Sequence, residues 1–161
     1  MKSRFSLSSS FLILLSLTGC AADSGTQHHN QVGDGAIYGS WHVAGVAVSD
    51  SGVQALETDD PTLMGKRLNF NHDQLAWKGP ASSTEDVCSR PVFHRPAATI
   101  EAESMQQLRK LGMEKAIPYG VECKSGSWGP LDEKSPTFFI APDGSLALAW
   151  YDGGMLKLLR D

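Results

Sequence analysis

The sequence predicts a mainly β (α+β) body, a small antiparallel β-barrel or curved meander sheet with one inserted helix. Three observations predict it. About seven or eight short apolar or alternating runs fall within residues 37–161, each bounded by turn residues. Only one segment carries apolar residues in a clear helical rhythm. No internal repeat of fixed period divides the chain into modules. Closing such a sheet on itself removes exposed strand edges, which suits a monomer.

In chain order, the first strand is Ser40-Trp41-His42-Val43-Ala44-Gly45-Val46-Ala47-Val48. Its alternation puts Trp41, Val43 and either Val46 or Val48 on a buried face, and Gly45 marks a bulge or sharp bend. A weak turn of helix is expected at Pro61 to Met64, ahead of Gly65. Lys66 to Phe70 and Gln74 to Trp77 are two short strands around the turn cluster Asn71-His72-Asp73. Pro91-Val92-Phe93-His94-Arg95 alternates again. Glu101 to Gly112 is the helix: Met105, Leu108 and Leu111 recur every third residue, and Gly112 is the stop. Its charges suit the helix dipole, with Glu101 and Glu103 at the start and Arg109 and Lys110 at the end. Val121-Glu122-Cys123 is a short strand. Thr137 to Ala141 and Ser145 to Tyr151 form a hairpin around Pro142-Asp143-Gly144. Asp152-Gly153-Gly154 then turns the chain into a last strand, Met155 to Arg160, completing a three-stranded meander.

Composition narrows the function. The 161 residues are 41% hydrophobic and 20% charged, ordinary globular material sufficient for one domain plus a targeting segment. A net charge of −4 argues against a nucleic-acid binder, which needs a basic face. No apolar run approaches the roughly 18 residues of a spanning helix.

The first twenty residues carry an address. Lys2 and Arg4 precede the apolar run Phe11 to Leu17, which closes with Leu17-Thr18-Gly19-Cys20. This tetrad resembles the lipobox of bacterial lipoproteins at all four positions. The resemblance implies a signal peptide over 1–19, cleavage after Gly19, and lipidation of Cys20, with palmitate among the acyl chains. Several chains anchor far more firmly than one, at about 0.8 kcal/mol per buried methylene. Ala21, where an Asp would imply retention at the inner membrane, implies the outer membrane, lipid-anchored on its periplasmic face.

Residues 20–36 are then a lipidated flexible spacer. They are nearly devoid of bulky apolar side chains, so the body floats about 20 Å from the lipid. His28-His29 reads as solvated tether rather than a metal site. Loss of Lys2 and Arg4 with the signal leaves 12 basic against 18 acidic residues, a mature charge of −6. With Cys20 acylated, Cys88 and Cys123 remain, and in an oxidising compartment they are expected to pair as a disulfide. The alternative, a nucleophilic or metal-binding thiol, lacks a helix start, a Cys-x-x-Cys or a nearby His.

A second resemblance rests on Gly39-Ser40-Trp41, similar to the Gly-x-Trp opening of lipocalins and of the small metalloprotease-inhibitor barrels of bacteria. The layout also resembles small proteobacterial lipoproteins of unassigned function, through Gly65-Lys66-Arg67-Leu68-Asn69-Phe70, Cys88-Ser89-Arg90-Pro91 and the closing Asp-Gly meander. The helix falls mid-chain here, whereas in lipocalins it follows the barrel. The resemblance therefore implies architecture and no functional residue.

No Gly-x-Ser-x-Gly, His-Glu-x-x-His, P-loop or Gly-x-Gly-x-x-Gly is present. His42, His72 and His94 are scattered. Asp59-Asp60 and Asp132-Glu133 are adjacent carboxylates in polar loops, and since neighbours on a strand face opposite ways neither is a natural acid/base pair. No enzyme, metal or cofactor is expected. Trp128, in the small-residue segment Ser125 to Pro130, either plugs a barrel end or meets a partner. Arg90 and Arg95 with His94, and Lys66-Arg67, are basic spots in an acidic protein. Candidate partner-binding residues are accordingly Trp128, Arg90 and Arg95. The leading expectation is a non-catalytic lipoprotein that binds, or inhibits, an envelope protein such as a hydrolase or a toxin. The alternatives are a carrier of a small apolar ligand (lipid or haem) in the barrel, and a structural envelope accessory.

Overall fold

The computed structural model describes residues 34–50, 55–79, 87–97, 99–130 and 137–161. The signal peptide, Cys20, His28-His29 and Asp132-Glu133 lie outside the described residues. No helix among the described residues is long and apolar enough to cross a membrane.

The chain forms a closed antiparallel barrel of eight strands with one helix on its outside. The strands are β1 (Gly39–Val48), β2 (Arg67–Phe70), β3 (Gln74–Trp77), β4 (Val87–His94), β5 (Ile117–Gly126), β6 (Phe138–Ile140), β7 (Leu146–Trp150) and β8 (Gly154–Arg160). Each pairs with the next, and β8 returns to β1 to close the wall. Helix α1 (Ala102–Lys110) sits between β4 and β5 in sequence.

Alternation builds two separate cores. Phe138 and Ile140 of β6, Leu146, Leu148 and Trp150 of β7, and Leu156 and Leu158 of β8 point into the barrel, where Trp41, Leu68, Phe70 and Leu75 meet them. The residues in between, Phe139, Ala147 and Met155, point outward. They would expose apolar surface to water if α1 did not cover them with Leu108 and the flanking Met105, Leu111 and Met113. The helical rhythm Met105, Leu108, Leu111 is thus the stripe that faces the wall. The helix ends at Gly112 (φ +69), where the Gly112 N–H bonds Arg109 O and the Met113 N–H bonds Leu108 O. Two terminal carbonyls are satisfied this way, and Gly112 is required because the conformation is left-handed.

Gly45 marks a bulge. Val43 opposes Leu158 and Gly45 opposes Lys157, so Ala44 is the extra residue. The bulge shifts the inward set from Trp41 and Val43 to Val46 and the half-buried Val48, and it turns Gly45 and Ala47 outward. A Cβ at Gly45 would lie 3.4 Å from Leu111 Cδ2. Asp60 to Gly65 forms one hydrogen-bonded turn rather than a helix. Met64 N bonds Asp60 O, and Thr62 donates its N–H and its hydroxyl to the Asp60 carboxylate. Asn71 closes the β2–β3 turn by accepting the Asp73 and Gln74 N–H groups.

β5 is longer than Val121 to Cys123, and β4 starts earlier than Pro91. β5 changes partners midway: Ile117 to Tyr119 pair with β6, and Gly120 to Gly126 with β4. Cys88 and Cys123 form a disulfide between β4 and β5, with Cα atoms 5.1 Å apart and a sequence separation of 35.

Candidate functional site

The barrel interior is the first place to look for a ligand. It is occupied by side chains. Trp41, Phe70 and Phe138 are fully buried, and Trp150 is 8% exposed. Phe138 sits edge-on between Phe70 and Phe93, 5.6 Å from each. At the Trp150 end, Trp77 lies 5.2 Å and Trp128 6.0 Å from the Trp150 ring. Eight strands leave a lumen about wide enough for side chains, and aromatic rings at T-shaped spacing take up that room.

Trp128 belongs to this plug. Its ring is 3% exposed and stands edge-on to Phe70 at 5.4 Å. Burial therefore removes Trp128 from the candidate partner-binding set: an indole packed on Phe70, Trp77 and Trp150 is not offered outward. Its Nε1 is buried without a hydrogen-bond partner.

Arg90 and Arg95 do lie on the exterior. Arg90 is an exposed residue of β4 in the left-handed region (φ 49), and its N–H bonds the Asp73 carbonyl across the β2–β3 turn. The conformation breaks the alternation of β4, so Cys88 and Pro91, three apart, are both buried. Arg95 donates to the Tyr119 hydroxyl at 3.3 Å and stands 5.4 Å from its ring. Arg95 therefore has a local structural task for its side chain, whereas Arg90 contributes its backbone N–H. The three histidines do not converge. His42 faces Asp161 at 3.1 Å, His72 stacks near Tyr38 at 4.1 Å, and His94 lies across Gly120, where a Cβ would come within 2.5 Å of its Nε2. Among the described residues no group of three metal-ligating side chains exists.

The Gly39-Ser40-Trp41 motif has a physical reason. Arg160, near the end of β8, lays its guanidinium over Trp41 at 4.4 Å. It also donates to the Tyr38 carbonyl at 3.0 Å and to the Ala36 carbonyl at 2.7 Å. Trp41 Nε1 donates to the Ile37 carbonyl at 2.9 Å. A Cβ at Gly39 would lie close enough to Arg160 Nη1 to displace the guanidinium, and the backbone there is at φ +148, which favours glycine. Trp and Arg together clasp the backbone of Ala36, Ile37 and Tyr38, at the end of the 3-10 turn Asp34–Ala36, to the barrel end.

An open concavity among the described residues lies outside the barrel. A cleft of about 300 Å³ runs between the start of α1 and the β7–β8 turn. Glu101, Glu103 and Gln107 line it from α1, and Trp150, Tyr151 and Asp152 from the hairpin. Asp152 (φ 52) and Gly153 (φ 65) make the tight turn that carries the second wall. Gln107, 4% exposed, donates its amide to the Gly153 carbonyl and ties the two walls together. Lys110 fastens the other end of α1 by bonding the Asp50 carboxylate, whose pKa its hydrogen bond lowers, and the Val48 carbonyl. Little in the sequence pointed to this cleft, because its walls come from segments far apart in the chain.

Comparison with protein-family models, with curated proteins and with solved structures returned no match.

Proposed function

We propose that the chain is a non-catalytic envelope lipoprotein. Acylated Cys20 anchors it to the outer membrane, and its barrel is a solid scaffold that binds a protein partner through the outer surface. One observation carries the choice of binding over carriage: the lumen is packed with Trp41, Phe70, Phe138 and Trp150, whereas the concavity lies outside the wall. A carrier of lipid or haem needs interior volume that these rings occupy. Leu17-Thr18-Gly19-Cys20 supports the anchor, and the disulfide suits an oxidising compartment. Blocking an envelope hydrolase or a delivered toxin is the concrete form of such binding.

Two measurements test it. Cells expressing the full chain are fed labelled palmitate: label is expected in the wild type and absent from Cys20→Ser. Site-specific cross-linking from the exterior of the anchored protein, followed by mass spectrometry, is expected to trap one dominant envelope protein. An unlabelled wild-type chain ends the anchoring reading. Saturable uptake of an apolar dye into the folded protein, with no cross-linked partner, ends the binding reading in favour of carriage.

A further inference from the structure

The exterior of β4 and β5 holds two cations that no described carboxylate pairs. In the ladder Ser89 opposes Ser125 and Pro91 opposes Cys123, so Arg90 and Lys124 share the rung between them. Both residues are exposed. Neither side chain forms a hydrogen bond or an ion pair with another described residue. Like charges on one rung oppose strand pairing. Arg90 adds the strain of a left-handed backbone at φ 49, which a glycine would relieve. Two carboxylates are neighbours: Glu122 opposes Val92, and Asp73 accepts the Arg90 N–H at its carbonyl. Neither reaches a cation as an ion pair. Within the fold, Arg90 thus contributes a backbone N–H that glycine would supply equally.

Val92 lies beside this rung and is 61% exposed, more than any other large apolar residue among those described. An arginine next to a bare aliphatic group is the composition of an interface anchor. The chemistry selects the partner. A carboxylate fits the guanidinium fork, Lys124 adds a second charge, and Val92 calls for an apolar side chain. A polyphosphate or a lipid headgroup would use the cations and leave Val92 wet. Glu122 repels a carboxylate from the far side of Val92, and the acidic body repels it elsewhere, so such a partner docks in one orientation. We propose that this face docks a protein partner, which places an aspartate or glutamate between Arg90 and Lys124 and an apolar side chain on Val92. The proposal rests on the binding reading above and gives its partner a chemistry.

The purified full chain is titrated by NMR with a blocked Leu-Glu-Leu-Glu-Leu peptide, with its Leu-Gln-Leu-Gln-Leu counterpart and with tripolyphosphate. Saturable shifts of the Val92 and Lys124 amides are expected with the glutamate peptide, and little or none with the glutamine peptide. Arg90→Gln and Lys124→Gln are each expected to weaken binding about fivefold, the loss of one charge-assisted contact. Val92→Ser is expected to weaken it about threefold. All three side chains are exposed, so the variants keep the fold. Lys124→Gln also removes the like-charge rung, so its urea midpoint is expected at or above the wild-type value. A lower midpoint shows that the lysine serves the fold and overturns the proposal. Arg109→Gln and Lys115→Gln, exposed cations elsewhere, are expected to leave the affinity within about twofold. Absence of saturable binding overturns the proposal, as does equal weakening by this distant pair, which reduces the effect to net charge. Tripolyphosphate binding as tightly as the glutamate peptide, with no loss in Val92→Ser, assigns the face to polyanions and overturns the protein partner. If the cross-linked envelope partner is trapped equally by wild type and by Arg90→Gln/Lys124→Gln, the face assignment falls while the binding reading stands.

Discussion

Arg160→Ala removes three contacts at once: the bonds to the Tyr38 and Ala36 carbonyls and the guanidinium over Trp41. Arg160 is exposed, so water replaces part of what is lost. Each hydrogen bond then contributes about 0.5–1 kcal/mol, and an exposed cation–π contact about 0.5–1 kcal/mol. The expected loss is about 2 kcal/mol, read by urea denaturation followed through indole fluorescence. Gly39→Ala attacks the same place from the other side, with a Cβ 2.4 Å from Arg160 Nη1 and a backbone at φ +148. On its own it is expected to cost about 2 kcal/mol or more, from strain and displacement of the arginine. In the double variant the arginine is already gone and only the backbone strain remains. The two losses therefore overlap, and the double variant is expected to be at least about 1 kcal/mol more stable than their sum. Additivity within about 0.5 kcal/mol, or an Arg160→Ala loss below that figure, would refute the clasp.

Three further outcomes are expected. Cys88→Ser with Cys123→Ser lowers stability by about 3–4 kcal/mol, the unfolded-state entropy of a loop of this length, and an unchanged urea midpoint would show that the bridge contributes nothing. Arg90→Gly relieves the left-handed backbone at φ 49 and raises stability by about 0.5–1 kcal/mol, whereas Arg90→Ala keeps the strain and gives no gain; both are read by thermal melts. The Asp60 and Asp143 carboxyls are held below the usual range, chiefly by the hydroxyls of Thr62 and Ser145. A depressed folded pKa gives stability that is present above the unfolded value and lost as pH falls through the folded one. Melts are therefore expected to be flat from about pH 7 to 5 and to fall below about pH 4, with a shallower fall in Asp143→Asn.

Much of the wall was legible in the sequence because alternation is a local signal. Trp41 and Val43 could be placed inside from their own neighbours, and the bulge at Gly45 from one glycine in a strand. The start of β5 was not legible, since Pro118 and Gly120 read as breakers. Pro118 sits where the strand pairs with β6, and Gly120 is the glycine over which the His94 ring lies. Trp128 stayed open between plug and partner contact for a different reason. Its small-residue neighbours describe a loop, and the rings that bury it, Phe70, Trp77 and Trp150, are distant in sequence. The cleft was the least visible feature. Glu101 and Glu103 read fully as dipole partners of α1, and the only local hint was an aromatic pair, Trp150-Tyr151, running into the acidic turn at Asp152.

The clasp at the barrel end has a mechanical consequence. In the lipoprotein proposed above, tension from the anchor would reach the body through the residues ahead of Asp34. That tension arrives at the Gly39 end of β1, the strand whose pairing with β8 closes the wall. Arg160 and Trp41 grip the carbonyls of Ala36, Ile37 and Tyr38 just ahead of that point. The load is met there, by one guanidinium and one indole, before any rung of the β1 ladder is stretched.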